Sequence, residues 1–338
     1  MELLKKLLDI SGPSGNESDV RALIRKEIKD YVSERYVDKF GNLITRKKGK
    51  SPTVMLVAHM DEVGLMVRYI GGKGKVHLSE IGGIEPVTLL GEYAEIKTSK
   101  GTVGGVITTN AIADAEFFEK LPGMKDLFID TGLSKDELEK EGVRVGNYVD
   151  IVLEPRVLGN PETLSGKAMD DRVGCYVLIE LARRLKNTSA DVYYVFTVQE
   201  EIGLYGAKTS VYNIDPDWAV VLDVTTTNEF TERKTRCLGA GPCISIKDAD
   251  YITNKCINEW LEETAKKYKI PIQYEVTDKG STDALSVSVS KGGIPTSLLS
   301  IPVRNIHTTS GIVHTKDILN AIKLLEMLLK DPPKKCLS

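Results

Sequence analysis

The chain has 338 residues, 41% hydrophobic and 28% charged, a balance that suits a folded globular protein and excludes a disordered one. Lys plus Arg number 45 against 48 Asp plus Glu, and the two signs are interleaved, so the net charge of −3 argues against a nucleic-acid partner. No apolar run approaches the ~18 residues needed to cross a bilayer.

The first eight residues, Met-Glu-Leu-Leu-Lys-Lys-Leu-Leu, read as a short amphipathic helix without the apolar core and cleavage site of a signal peptide, which places the protein in the cytoplasm. The next helix is predicted over about 17–32. Ser14-Gly15-Asn16 supplies its turn and cap, and Val20, Leu23, Ile24 and Ile28 recur at helical spacing. Residues 53–58 form a short continuous apolar run, the mark of a strand buried on both faces. From 64 to 159 short β-branched runs at 75–78, 93–97, 102–108 and 148–153 alternate with glycine-rich turns, as in a small antiparallel module. Its one clear helix is opened by the capping box Ser134-Lys-Asp-Glu137.

After 159 helix and strand alternate again. Helices are predicted at 171–185, 202–211, 249–268, 283–290 and 316–329, and strands at 191–198, 218–224, 272–276 and 295–301. The pattern predicts an α/β protein: a mixed central sheet flanked by helices, discontinuous over 1–63 and 160–338, with a β-rich domain inserted at 64–159. The five cysteines are odd in number and none is spaced C-x-x-C. That argues against a disulfide framework and a structural zinc site, so any metal must be held by His and carboxylates.

The chemistry-bearing residues cluster at strand ends. His59 and Asp61 follow strand 53–58, Glu200 and Glu201 follow strand 191–198, and Asp223 lies near the end of strand 218–224. His307 follows strand 295–301 after a short loop, and Asp170 opens helix 171–185. Ligands of open α/β sheets bind at the carboxyl ends of strands. Each residue alone has a structural explanation: a hydrogen-bonded core histidine, a helix cap, a solvated turn. Independent accidents would not all fall at strand ends, and Asp223 in an apolar run needs a cation or strong donors.

Charge counting suggests two divalent ions. Asp170, Glu201 and Asp223 carry three negative charges, and His59 and His307 are neutral ligands. Two ions leave an excess of +1 that a bridging hydroxide neutralises, the usual arrangement for amide hydrolysis. Mixed imidazole and carboxylate ligands suit zinc or cobalt. Asp61 lies two residues from His59, on the same side of an extended chain, so it can accept the second imidazole N–H. Glu200 and Glu201 diverge in extended chain, so one can bind metal while the other serves as general base.

These residues sit in recognisable stretches: Ser11-Gly-Pro-Ser-Gly15, Ala58-His-Met-Asp-Glu-Val-Gly64, Gly166-Lys-Ala-Met-Asp-Asp-Arg172, Gln199-Glu-Glu-Ile-Gly203, Val221-Leu-Asp-Val224, Gly280-Ser-Thr-Asp-Ala284 and Ile306-His307. In this order, from one end to the other, the chain resembles the tetrahedral-dodecamer (TET-type) metallo-aminopeptidases, also described as glutamyl aminopeptidases or cellulase-like proteins. The resemblance implies a zinc-exopeptidase-like fold and removal of N-terminal residues from short peptides. It implies that Asp170 bridges two metals, that His59 and Asp223 complete one site and Glu201 and His307 the other, and that Glu200 is the base. It implies that Gly280, Ser281, Thr282 and Asp283 lie beside the substrate. It also implies that the inserted module is a PDZ-like or β-barrel dimerisation domain, with dimers assembling into a dodecamer.

The chain departs from the family pattern after the last histidine, where His307-Thr-Thr-Ser replaces the usual His-Ser-Pro, and at Ser281, where glycine is usual. These changes bear on side-chain preference and assembly. His314 reads as structural. Competing readings are an amidohydrolase of acylated amino acids using the same centre, an endoglucanase, and a non-enzymatic scaffold. A glycosidase needs two carboxylates and leaves His59 and His307 without a task.

Overall fold

The computed structural model describes residues 1–110, 121–231, 234–334 and 336. Helices α1 (Glu2–Asp9) and α2 (Ser18–Ile28) open the chain. A hairpin, β1 (Glu34–Val37) and β2 (Leu43–Lys47), and the buried strand β3 (Thr53–His59) follow. Next come β4 (Gly64–Ile70), β5 (Val76–Ile81), β6 (Tyr93–Thr98), β7 (Gly101–Thr109), β8 (Leu127–Asp130), helix α3 (Lys135–Lys140) and β9 (Tyr148–Ile151). Strands β4 to β9 close into an antiparallel barrel in the order β4-β5-β8-β7-β6-β9. The barrel has its own core, with Leu65, Val76, Ile96, Ile107 and Ile129 among its buried residues. The predicted capping box is present: the Ser134 hydroxyl accepts from the Glu137 N–H, and the Glu137 carboxylate accepts from the Ser134 N–H at 2.8 Å.

The chain then runs through β10 (Arg156–Val157), β11 (Thr163–Gly166), α4 (Met169–Arg184), β12 (Asp191–Thr197), α5 (Tyr205–Ile214), β13 (Trp218–Thr226) and β14 (Cys243–Lys247). It continues with α6 (Lys255–Tyr268), β15 (Gln273–Val276), α7 (Asp283–Ser288), β16 (Thr296–Arg304), β17 (Gly311–His314) and α8 (Thr315–Lys330). Among the described residues the large sheet is 11-stranded, with the path β1-β2-β12-β3-β13-β16-β17-β11-β10 and β14 and β15 branching from β16. Its four central strands, β12, β3, β13 and β16, are parallel, so their carboxyl ends face one way. The outer pairs are antiparallel, except that β15 lies parallel to β14.

Both faces of the centre are covered, and the period of two is visible in the packing. Val54, Leu56 and Ala58 of β3 join Val220 and Leu222 of β13 in the core shared with α4 and α8. Met55 and Val57 join Ala219 and Val221 in the opposite core, against α5 and α7. Burial on both faces explains why 53–58 and 218–224 read as unbroken apolar runs.

Several boundaries move for local reasons. The helix predicted over 249–268 begins only at Lys255. The Asp248 carboxylate accepts from the Asp250 and Tyr251 N–H groups and holds a turn, and the Asn254 side chain then caps the helix through the Cys256 N–H. The strand predicted over 295–301 continues to Arg304, so only two residues separate it from His307. Short strands with little apolar signal, such as β10, β11 and β17, carry no sequence prediction and form by pairing at the edges.

One cysteine expectation is corrected: Cys256 and Cys336 form a disulfide, 80 residues apart in sequence. Spacing motifs report only local pairs, and this one depends on the tail reaching α6, as it also does where the Trp218 indole donates to the Pro333 carbonyl at 3.0 Å. The other three cysteines are free. No described helix is long and apolar enough to cross a membrane.

Candidate metal centre

Chain direction brings the expected residues together. His59 ends β3 beside Thr197, the last residue of β12, and the Met60 N–H donates to the Thr197 carbonyl at 2.8 Å. Glu200 and Glu201 lie three and four residues beyond that point. Asp223 sits in β13 opposite Ser300 of β16. By the alternation described above, His59 shares the side of Met55 and Val57, and Asp223 that of Ala219 and Val221, so both look toward α5 and α7. Asp170 comes from the start of α4, where it and Asp171 have non-helical torsions. His307 comes from the turn after β16.

Asp170 is the midpoint of the cluster. Its Oδ1 lies 2.8 Å from His59 Nε2 and its Oδ2 lies 3.4 Å from His307 Nε2. His307 Nε2 is also 3.3 Å from Glu201 Oε2. Two sets of donor atoms have all members within 4.8 Å of one another: His59, Glu200 and Asp223, and His59, Asp170 and Glu201. Ala168, Gln199 and His307, each in a turn that carries these ligands, adopt positive φ of 54°, 55° and 61°. Non-glycine residues in that region cost about 1–3 kcal/mol each and gather at functional sites.

Asp61 organises the rest. The His59 Nδ1 is closer to the Asp61 carbonyl (3.1 Å) than to its carboxylate (3.5 Å). The carboxylate instead accepts from the Ser14 hydroxyl at 2.6 Å and from the backbone N–H groups of Glu200 (3.1 Å) and Glu201 (3.2 Å). Asp61 therefore fixes the two glutamates as well as the imidazole. Burial alone would raise its pKa, but His59 and these donors outweigh burial and lower it. Ser14 is a partner that sequence reasoning missed. It lies in the Ser11–Gly15 motif, and only the fold brings that turn against Asp61.

The cluster calls for positive charge. Burial, with repulsion from Asp223, pushes Glu200 well above the usual carboxylate range, and burial with repulsion from Asp170 does the same to Asp223. Glu201 is raised by the same two causes. Hydrogen bonds to Asp170 and Glu201 raise His307 to about 11, and at His59 the surrounding carboxylates overcome a burial penalty that would lower it. The buried Oε1 of Glu201 has no hydrogen-bond partner. Imidazole, carboxylate and an orphaned buried oxygen converging in one place fit divalent cations, which would neutralise the carboxylates and take up that oxygen.

The expected substrate-side residues have local tasks. Thr282 caps α7 by accepting from the Ala284 N–H at 3.3 Å, and the Gly280 carbonyl accepts from the Ala249 N–H at 3.0 Å. The Ser281 hydroxyl is buried without a partner. Asp283 is buried, accepts from the Thr197 hydroxyl at 2.6 Å through Oδ2, and leaves Oδ1 unpartnered. Burial raises its pKa to about 6. His314 is apart from the cluster: its Nδ1 accepts from the Lys316 N–H at 3.2 Å and caps α8.

Comparison with known proteins identifies the family. Residues 41–324 match the model of the M42 glutamyl aminopeptidase family. The lysyl aminopeptidase of Pyrococcus furiosus is 34% identical over 98% of this chain and 96% of its own. An aminopeptidase from the archaeon Desulfurococcus kamchatkensis is 37% identical, covers 97% of this chain and 94% of its own, and superimposes with a TM-score of 0.92. The Pyrococcus horikoshii TET1 peptidase, described as able to assemble into a tetrahedron or a large octahedral shell, is 33% identical with a TM-score of 0.88, over 97% of this chain and 98% of its own. By sequence match along most of its length and by fold, this chain belongs to the M42 glutamyl aminopeptidase family.

Proposed function

We propose that the protein removes N-terminal residues from short peptides in the cytoplasm, using two divalent ions, zinc or cobalt, per subunit. Asp170 would be held in common by the two ions, His59 and Asp223 would complete one seat, and Glu201 and His307 the other. The observation that carries this reading is the Asp170 carboxylate, which turns one oxygen to each histidine. The chemistry such ions would supply when bound is polarisation of the scissile carbonyl and acidification of the attacking water. Glu200 would accept a proton from the attacking water, whose oxygen forms the new C–O bond, and would then pass that proton to the departing amine as the C–N bond breaks. Asp61 holds the Glu200 backbone in place. Subunits associate through the barrel into dimers and then a dodecamer. The preferred N-terminal residue does not transfer from relatives, because a glutamyl family model and a lysyl relative both match the chain.

Elemental analysis of gently purified protein is expected to give two ions per subunit, and aminoacyl p-nitroanilides are expected to be cleaved in their presence. Full activity with one ion or none rejects the paired centre. Turnover of N-acyl amino acids or β-glucans in place of aminoacyl substrates rejects the aminopeptidase reading.

A further inference from the structure

The barrel contributes no ligand, yet it touches one of the two proposed seats. We propose that the barrel, through its turn at 82–85 and through Glu92, is a positioning element that holds His307 against Asp170 and Glu201. This inference rests on the paired centre proposed above.

His307 needs external support. It lies in the irregular stretch between β16 and β17, where Asn305 and His307 both have left-handed torsions, with φ of 58° and 61°. Its side chain is 39% exposed, against 2% for His59. No sheet ladder holds the stretch, and the barrel grips it at two points. The Glu85 N–H donates to the His307 carbonyl at 3.0 Å, and the Thr309 hydroxyl donates to the Glu92 carboxylate at 3.0 Å.

The side chains of the same seat rest on two barrel glycines. A Cβ on Gly83 would lie 3.3 Å from His307 Nδ1 and 3.7 Å from its Cε1. A Cβ on Gly82, whose φ is +71°, would lie 3.1 Å from the Cβ of Glu201 and 3.4 Å from its Oε2. The bare backbone of this turn is thus a wall against which both ligands of one seat are placed. The other seat is finished by the sheet domain: His59 bonds to Asp61 and Asp170, and Asp223 accepts from the N–H of the next residue, Val224. Displacing the wall acts on one seat and leaves the other.

The test is calorimetric titration of zinc into chelator-stripped protein, comparing the parent with Gly83→Val and Thr309→Val. The valine side chain at 83 presses on the imidazole edge, and Thr309→Val removes one grip. The parent is expected to take up two ions per subunit. Gly83→Val is expected to bind one ion with parental affinity and the second at least about tenfold more weakly, the lower end of what supporting residues contribute to a metal site. Thr309→Val is expected to shift the same ion in the same direction by less. Two ions at parental affinity in Gly83→Val, or equal weakening of both, overturns the inference. Should Gly83→Val not fold, Thr309→Val decides by the same criterion. A parent that binds fewer than two ions overturns the paired centre itself, and this inference with it.

Discussion

At the scale of single residues, the consecutive glutamates are expected to have separable tasks. Glu201→Gln is expected to lose metal and activity together, because a ligand must be anionic to hold its ion. Glu200→Gln is expected to keep both ions while turnover falls by about 10²–10⁴-fold, the usual share of acid–base catalysis. Metal content and turnover measured on both variants check this. Glu200 also stands close to the donor atoms of His59 and Asp223, so loss of metal in Glu200→Gln with metal kept in Glu201→Gln exchanges the two assignments. Asp61 acts through others, since its carboxylate binds the backbone of both glutamates and the Ser14 hydroxyl. Asp61→Asn keeps one acceptor oxygen but loses the charge and the second acceptor. It is expected to lower turnover about 10–100-fold in a folded protein, read from steady-state rates alongside a thermal melt.

At the scale of elements, Arg172 ties the start of α4 to the chain around the site. Its fully buried guanidinium donates to the carbonyls of Met60 (2.8 Å), Leu7 (2.7 Å) and Ile10 (3.0 Å), and approaches Glu62 at 3.4 Å. Lys167 completes the pairing with Glu62 at 2.8 Å. Met60, which follows His59, and Glu62 are therefore tied to the Asp170 turn by one side chain. Arg172→Leu leaves these carbonyls and part of the Glu62 charge buried without a partner. It is expected to cost about 3–5 kcal/mol, measured by denaturant unfolding. The Cys256–Cys336 disulfide ties the tail to α6 across 80 residues. Cys256→Ser is expected to lower stability by about 2–4 kcal/mol and to raise the m-value, because the denatured chain without the cross-link is less compact.

At the scale of the whole molecule, removing metal leaves the Asp170, Glu200, Glu201 and Asp223 carboxylates crowded in one buried cluster. Chelator-treated protein is expected to melt at a lower temperature and to recover on adding zinc or cobalt. At ion concentrations about a hundredfold above Kd, the gain per ion is about 2.7 kcal/mol. A melting temperature indifferent to chelation would remove the ions from the fold's energetics. Light scattering is expected to report a large assembly in place of a monomer, as for the TET1 peptidase that this chain resembles. A monomer under native conditions would assign the barrel to the metal seat alone.

The strong local signals were legible in the sequence. The apolar run at 53–58, the helical period at 17–32, the capping box at Ser134 and the polar residues just past strand ends each depend on neighbours within a few positions. Their physics is therefore written in the chain order. From these came the α/β sheet, the inserted β-rich module and the candidate residues His59, Asp170, Glu200, Glu201, Asp223 and His307. What only the tertiary structure decided are relations between distant segments. The Ser14 hydroxyl meets Asp61, Arg172 meets the carbonyl of Leu7, Cys256 meets Cys336, and the Gly82-Gly83 turn meets Glu201 and His307. No spacing rule reports such pairs, because each contact is set by how two elements pack and not by the residues on either side of it.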